Sequence, residues 1–409
     1  MTIELRGAAP DQWDYLFDRV ERAFHAETEA VEKRAMWRGV SEFDRLTTAW
    51  DGDELVGTAG LHSFRMTVPG GGLLDTAGVT MVTVQPTHTR RGILRSMMRR
   101  QLDALRDGGE PVAVLTASEP AIYGRFGYGI ATQEMSGAID TARVRLTVPA
   151  APSGAFRLRL VAPDDPGALA ACEDVYAASV AGRAGMLARQ PHWEQLGIVD
   201  APAVRRGAGP LMCVLAESGG EVRGYARYAV AIRSGGENEV RLRNIAALDP
   251  AAYAELWRYL LSIDLTGSVR FGSLPVDDAL LHLVSDPRRC ALALADGLHL
   301  RLVDVGAALA ARAYSVPVDV VLDVADAFCP WNAGRWRLSG DASGATCERT
   351  TDPADIALDA KELAAAYLGG PTLGAMAGAA LLHELRPGAL PLTSAAFHTT
   401  PAPWLPHGF

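Results

Sequence analysis

Two stretches of the chain hold residues whose types and spacing suit chemistry. Residues 82–95 read VTVQPTHTRRGILR, and residues 116–129 read TASEPAIYGRFGYG. In the first, a loop that leaves a strand and enters a helix exposes backbone N–H groups at the positive end of the helix dipole, which makes it an anion site. Gly92 lets the backbone approach a bulky phosphate with no Cβ between them. Arg90, Arg91 and Arg95 add charge-assisted donors, and a pyrophosphate presents oxygens that such donors fit. Arginines also serve as a solvated helix face, and Arg99 and Arg100 are read that way. The loop has neither the GxxxxGK[ST] pattern of a triphosphate cradle nor the GxGxxG fingerprint of dinucleotide binders. In the second stretch, Tyr123 and Tyr128 occupy a glycine-broken segment. A phenol there can donate a proton or pack against a sheet, and spacing alone does not choose between the two.

These residues need a frame. The chain opens with a strand, TIELR, after which Pro10 and Asp11 mark a helix start and Trp13, Leu16, Phe17, Val20 and Phe24 recur at helical spacing. LTTAWDGDELVGTAGLHSF reads as two strands joined at DGDE, and TAGVTMVTV as another strand. Ile93, Leu94, Met97, Met98, Leu102 and Leu105 predict an amphipathic helix that ends at DGGEP, before the strand VAVLTAS. Residues 1–150 therefore read as one mixed α/β unit. VPAAPSGAF, at 148–156, reads as a linker. Beyond it, RLRLVAPDDPGALAACEDVY echoes the opening of the chain, and AESGGEVRGYARYAV echoes the hairpin, with Gly219, Glu221 and Gly224 matching Gly52, Glu54 and Gly57. Residues 151–296 thus predict a degenerate duplicate. Its RNIAALDPAAYAELW carries neither the glycine nor the basic cluster of the first turn, so a ligand held by that turn is expected in the first copy alone. A third unit, 297–409, brings the strands LHLRLVDV and VPVDVVLDV, a helix near AKELAAAYLGG, and the tail FHTTPAPWLPHGF.

Bulk properties bound the reading. The chain has 409 residues, where a domain takes about 100–200. Apolar content of 49% with 21% charge is that of a globular protein, and no apolar run reaches the length of a membrane span. The N-terminus lacks a secretory pattern, so a cytoplasmic location is expected. Cys172, Cys213, Cys290, Cys329 and Cys347 form no CxxC pair, and the His-Glu at 383–384 has no second histidine at metal-ligand spacing, so buried thiols and no metal are expected. A net charge of −9 disfavours nucleic acid and tolerates a cationic substrate.

VTVQPTHTRRGIL, a helix, and VAVLTASEPAIYGRFGYG together resemble the acetyl-CoA-binding core of the GCN5-related N-acetyltransferase (GNAT) superfamily, most closely its enhanced intracellular survival (Eis) branch. The likeness reaches the whole chain, from the degenerate second unit to a C-terminal part similar to a sterol-carrier fold. The superfamily turn (Gln or Arg, two residues, Gly, one residue, Gly or Ala) is met here by Thr89 first and Leu94 last, and leucine at the last position is the Eis form. The resemblance implies an α/β (mixed α+β) fold with tandem GNAT units. It implies that Val82, Thr83 and Val84 pair with the pantetheine arm of acetyl-CoA, that Arg90, Arg91, Gly92, Ile93, Leu94 and Arg95 hold its pyrophosphate, and that Ser118 and Glu119 border it. Tyr123 stands where relatives place the general acid, and the terminal carboxylate of Phe409 where they place the general base. Phe24, Glu27 and Trp37 fall where relatives build an aromatic and acidic acceptor pocket, while Gly408 replaces an acidic residue some relatives carry. The expected acceptor is the amine of a small molecule, such as an aminoglycoside, or of a lysine side chain. By the same resemblance the assembly is a homohexamer. A catalytically decayed acyl-CoA sensor and a lipid carrier are the rival readings, and neither nucleic acid nor membrane is an expected partner.

Overall fold

The computed structural model describes residues 3–152, 154–202, 205–233 and 236–409. Thr2 of the opening strand and Ser153 of the linker lie outside the described residues. Twenty strands run in chain order: β1 (Ile3–Gly7), β2 (Thr47–Asp51), β3 (Glu54–Thr67), β4 (Leu73–Val84), β5 (Val112–Thr116), β6 (Gly129–Ile130), β7 (Gln133–Asp140), β8 (Arg157–Val161), β9 (Leu187–Ala188), β10 (Met212–Ser218), β11 (Glu221–Ala231), β12 (Asn238–Ala247), β13 (Thr266–Pro275), β14 (Ala293–Asp296), β15 (Leu298–Leu302), β16 (Val318–Ala325), β17 (Gly334–Asp341), β18 (Gly344–Arg349), β19 (Ile356–Asp359) and β20 (Leu382–Glu384). They form three sheets, ordered β1-β2-β3-β4-β5-β15-β6 with β9 beside β3, then β14-β7-β13-β12-β11-β10-β8, then β18-β17-β16-β19-β20. The first two sheets carry the helices α1 (Trp13–Ala23), α2 (Val31–Val40), α3 (Ile93–Asp107), α4 (Pro120–Tyr123), α5 (Pro166–Val180) and α6 (Pro250–Leu261). No helix among the described residues is long and apolar enough to cross a membrane.

The expected elements form where local pattern specifies them. Ile93, Met97, Met98, Leu102 and Leu105 give α3 its buried stripe, and Trp13, Leu16, Phe17 and Val20 do the same for α1. Gly52, at φ 62, closes the β2–β3 hairpin, and Gly219, also at φ 62, closes β10–β11.

Sheet membership departs from the ranges 1–150, 151–296 and 297–409 at two strands. β7 lies before the linker yet pairs with β13 and β14 of the second sheet. β15, expected in the third unit, inserts between β5 and β6 of the first sheet. The cause is an exchange of edges, since each crossing strand satisfies a ladder that would otherwise end in open N–H and C=O groups.

Close neighbours account for two of the three glycines of IYGRFGYG. Arg301 of β15 is fully buried and paired with Asp326 at 2.5 Å. A Cβ on Gly127 would stand 1.9 Å from its Nη1, and Gly127 also takes φ 82. A Cβ on Gly129 would meet the Lys361 carbonyl oxygen at 2.1 Å, so this glycine lets the helix Ala360–Ala366 lie against β6.

Candidate active site

The turn into α3 leaves its backbone donors open. Arg90 takes φ 63 and Gly92 φ 81, and no side chain caps the helix. After His88, the first amide to pair with a backbone carbonyl is Ser96, which donates to Gly92 at 3.0 Å. The amides ahead of it therefore remain available to a ligand. Arg90, Gly92, Ile93, Leu94 and Arg95 line a cleft of about 600 Å³ whose floor is Val82, Thr83 and Val84. Arg91 faces elsewhere: its Nη1 lies 3.7 Å from Asp51, whose same oxygen lies 3.2 Å from His88 Nε2.

The cleft exists because two strands part. β4 and β5 pair in parallel only over Thr76–Gly78 and Val112–Val114. Beyond that point a bulge in β4 leaves Met81 and Val82 out of the ladder with β3, and Met81 takes φ 49. Thr58 holds the bulge, since its hydroxyl donates to the Met81 carbonyl at 2.6 Å. Across the gap stand Tyr123 and Arg125.

A second, smaller pocket of about 280 Å³ opens on the other side of the same gap. Phe17 and Phe24 form one wall and Trp37 another, while Thr116, Ser118, Glu119 and Phe409 close the rest. Ser118 and Glu119, expected beside the cofactor, thus face this pocket. Val82, Ile122 and Tyr123 line both spaces. Burial pushes the Tyr123 phenol up to about 12, so the hydroxyl stays protonated through the physiological range. Tyr128 is sealed in the core, its ring 5.9 Å from that of Tyr123 and its hydroxyl without a partner among the described residues. Geometry thereby separates two tyrosines that spacing could not.

Phe409 reaches the pocket because the tail is held along its length. Ala402 N–H donates to Asp277 at 2.7 Å, Trp404 N–H to the Ala184 carbonyl at 3.0 Å, and His407 Nε2 lies 3.2 Å from the Tyr176 hydroxyl. The Phe409 ring meets Phe64 edge-on at 5.0 Å. Gly78 makes room for both, since a Cβ there would lie 2.3 Å from Phe64 and 3.0 Å from Phe409.

Of the expected acceptor residues, Phe24 and Trp37 come together but Glu27 does not. α1 ends at Ala23, His25 turns through φ 52, and Ala26 N–H donates back to the Glu21 carbonyl at 3.0 Å. This turn carries Glu27 into a separate cleft with Lys33, Arg206 and Arg241. The side-chain carboxylate that lines the smaller pocket is Glu119. Arg125, Phe17 and Thr116 were not expected at the site. Arg125 lay within the motif and was a readable signal, whereas Phe17 reads as plain helix core.

The corresponding place in the second copy is closed. Asp249 accepts from Ala252 N–H at 2.8 Å at the start of α6 and receives Arg223 Nε at 3.2 Å.

Residues 4–131 and 185–302 each match a family model described as an acetyltransferase (GNAT) domain, and residues 305–406 match a sterol carrier protein domain. A Streptomyces avermitilis protein named as an uncharacterized N-acetyltransferase is 54% identical over 100% of both chains. N-acetyltransferase Eis of Mycobacterium tuberculosis is 33% identical over 93% of this chain and 92% of its own. The crystal structure of Eis1 from Mycobacterium abscessus superposes over 100% of both chains with a TM-score of 0.84 at 33% identity.

The chain belongs to the Eis family of N-acetyltransferases.

GNAT domains of Eis proteins take acetyl-CoA as co-substrate. The residues here fit it: open amides and two arginines suit the diphosphate, and the parted strands leave a channel towards Tyr123 for the acyl end. The Eis architecture of two GNAT units followed by a sterol-carrier-like unit is the one the sequence predicts.

Proposed function

We propose that this enzyme acetylates a primary amine of a polycationic acceptor, either an aminoglycoside-like polyamine or a lysine side chain, by direct attack on acetyl-CoA. The observation that carries the reading is the position of Tyr123 in the wall shared by the two spaces, with Phe409 lining the smaller one. The acceptor amine enters among Phe24, Trp37 and Glu119. The Phe409 carboxylate takes its proton as the C–N bond forms. An unperturbed terminal carboxyl is a weak base, at about 3.5, but several ammonium groups on one acceptor lower one another's pKa and supply free amine. Backbone that the bulge frees from the ladder offers donors to the developing oxyanion. As the C–S bond breaks, Tyr123 gives its proton to the leaving sulfur. Its raised pKa makes full transfer harder and keeps the donor loaded.

The test is thiol release from acetyl-CoA over a panel of mono- and polyamines, using the full chain and a version extended by one glycine after Phe409. Extension displaces the carboxylate and is expected to abolish turnover while acetyl-CoA still binds. Undiminished turnover in the extended chain removes the base assignment. Tight acetyl-CoA binding without turnover on any amine favours the sensor reading instead. Homohexamer formation belongs to the same proposal and is checked by light scattering.

A further inference from the structure

Cys172 on α5 and Cys213 on β10 face each other in the second GNAT unit, with their Sγ atoms 3.9 Å apart. Both are buried. The β10–β11 register sets Arg227 directly opposite Cys213, and opposed side chains of an antiparallel pair share one face of the sheet. Arg227 is 0% exposed, and none of its three guanidinium nitrogens has a hydrogen-bond partner among the described residues. Other buried arginines have partners: Arg301 pairs with Asp326, although its Nε has none among the described residues, and Arg312 donates to the carbonyls of Tyr367 and Phe397. The Tyr225 ring lies 4.9 Å from the Arg227 guanidinium and attracts it without neutralising it. Glu173, next to Cys172 on α5, is already engaged by Arg189 at 2.7 and 2.8 Å. A Cβ on Gly197 would stand 2.4 Å from Arg227 Nη1, so glycine is what admits the guanidinium.

A buried cation with no counter-ion is costly, and a thiolate is the counter-charge this location can generate. We propose that Cys172, Cys213 and Arg227 form a peroxide-responsive dithiol site, with Arg227 holding the Cys213 thiolate and Cys172 resolving it to a disulfide. The Cys213 thiol is held below its ordinary value, chiefly by the Cys172 sulfhydryl and further by Arg227, whereas Cys172 is pushed up by the same contact and by burial. That asymmetry suits one attacking and one resolving sulfur.

The chemistry balances with hydrogen peroxide as the oxidant. The Cys213 thiolate attacks one oxygen; an S–O bond forms, the O–O bond breaks, and the departing hydroxide takes up the proton Cys213 had released, giving water. Cys172 then attacks the sulfenic sulfur; an S–S bond forms, the S–O bond breaks, and hydroxide leaves with the Cys172 proton as a second water. Two thiols are oxidised and one peroxide is reduced to two waters.

The experiment treats the full chain with hydrogen peroxide, alkylates remaining thiols after denaturation, and maps the digest by mass spectrometry. The expected result is a Cys172–Cys213 cross-link that dithiothreitol reverses, with Cys290, Cys329 and Cys347 still alkylated. In Cys172→Ser, Cys213 should stop at a sulfenic acid that dimedone traps. Arg227→Met should slow cross-linking by about tenfold, as expected when a thiol loses its stabilising cation, and Arg227→Lys should restore part of the rate. Both variants are first checked for a native thermal transition. Absence of the cross-link in the folded wild type, or an equal rate in a folded Arg227→Met chain, overturns the proposal.

Discussion

The helices α3 and α6 occupy matching places in the two GNAT copies and begin differently. α3 starts at Gly92 with no side chain over its first turn, whereas α6 starts under the carboxylate of Asp249. The scaffold around them is shared. In both copies the strand before the helix is bulged, at Met81–Val82 in β4 and at Arg243 in β12, and its parallel pairing stops short, at Gly78 and at Leu242. The duplication kept the parted strands and changed the turn. A capped helix end is worth about 1 kcal/mol of stability, and the first copy forgoes that contribution and leaves its amides open. The difference teaches that the fold alone does not make a cofactor site.

Four measurements can break or sharpen this contrast. The largest effect is expected from Tyr123→Phe: kcat should fall by roughly a hundredfold with little change in the KM for acetyl-CoA, followed by thiol release. In the wild type the phenol should impose no alkaline decline below about 12. Folding keeps it protonated, so its contribution to stability is intact below pH 10 and lost between 10 and about 12. Next, Gly92→Asp sets a carboxylate over the first copy's turn, at a backbone φ of 81 that strains any side chain. By loss of charge-assisted bonds of about 2 kcal/mol, acetyl-CoA affinity should weaken roughly thirtyfold in calorimetry, and unaltered affinity would remove the anion cradle. Third, Glu119→Gln should raise the KM for a polyamine several-fold, of order 1 kcal/mol, and leave that for acetyl-CoA in place; the reverse outcome would return Glu119 to the cofactor side. Smallest for function is Asp249→Ala, which should cost about 1 kcal/mol of stability, seen as a lower Tm, without altering acetyl-CoA binding.

Much of the fold was legible because it is local. A 3.6-residue apolar period specifies α1 and α3, DGDE specifies a hairpin, and the matched glycines reveal the duplication. What stayed hidden depends on distant partners or single dihedrals. Nothing near β7 or β15 states which sheet each will join, because strand pairing is decided across the chain. Glu27 leaves the acceptor pocket through one left-handed residue, His25, and Arg91 leaves the cleft for Asp51. The open turn itself was readable from Gly92 and the start of an apolar period at Ile93. The seat of Phe409 rests on contacts with residues 184 and 277 and with Phe64, which no spacing within the tail could announce.

The insertion of β15 has a consequence for how the enzyme comes into being. During synthesis the first sheet stays open along β5 until residue 302 has emerged, because the strand that seals it is encoded at the far end of the second GNAT match. An exposed strand edge invites mispairing with other chains, and distant pairings form slowly. A fragment holding the first copy's turn alone would therefore be sticky rather than simply inactive, and maturation of the first copy must wait on the end of the second.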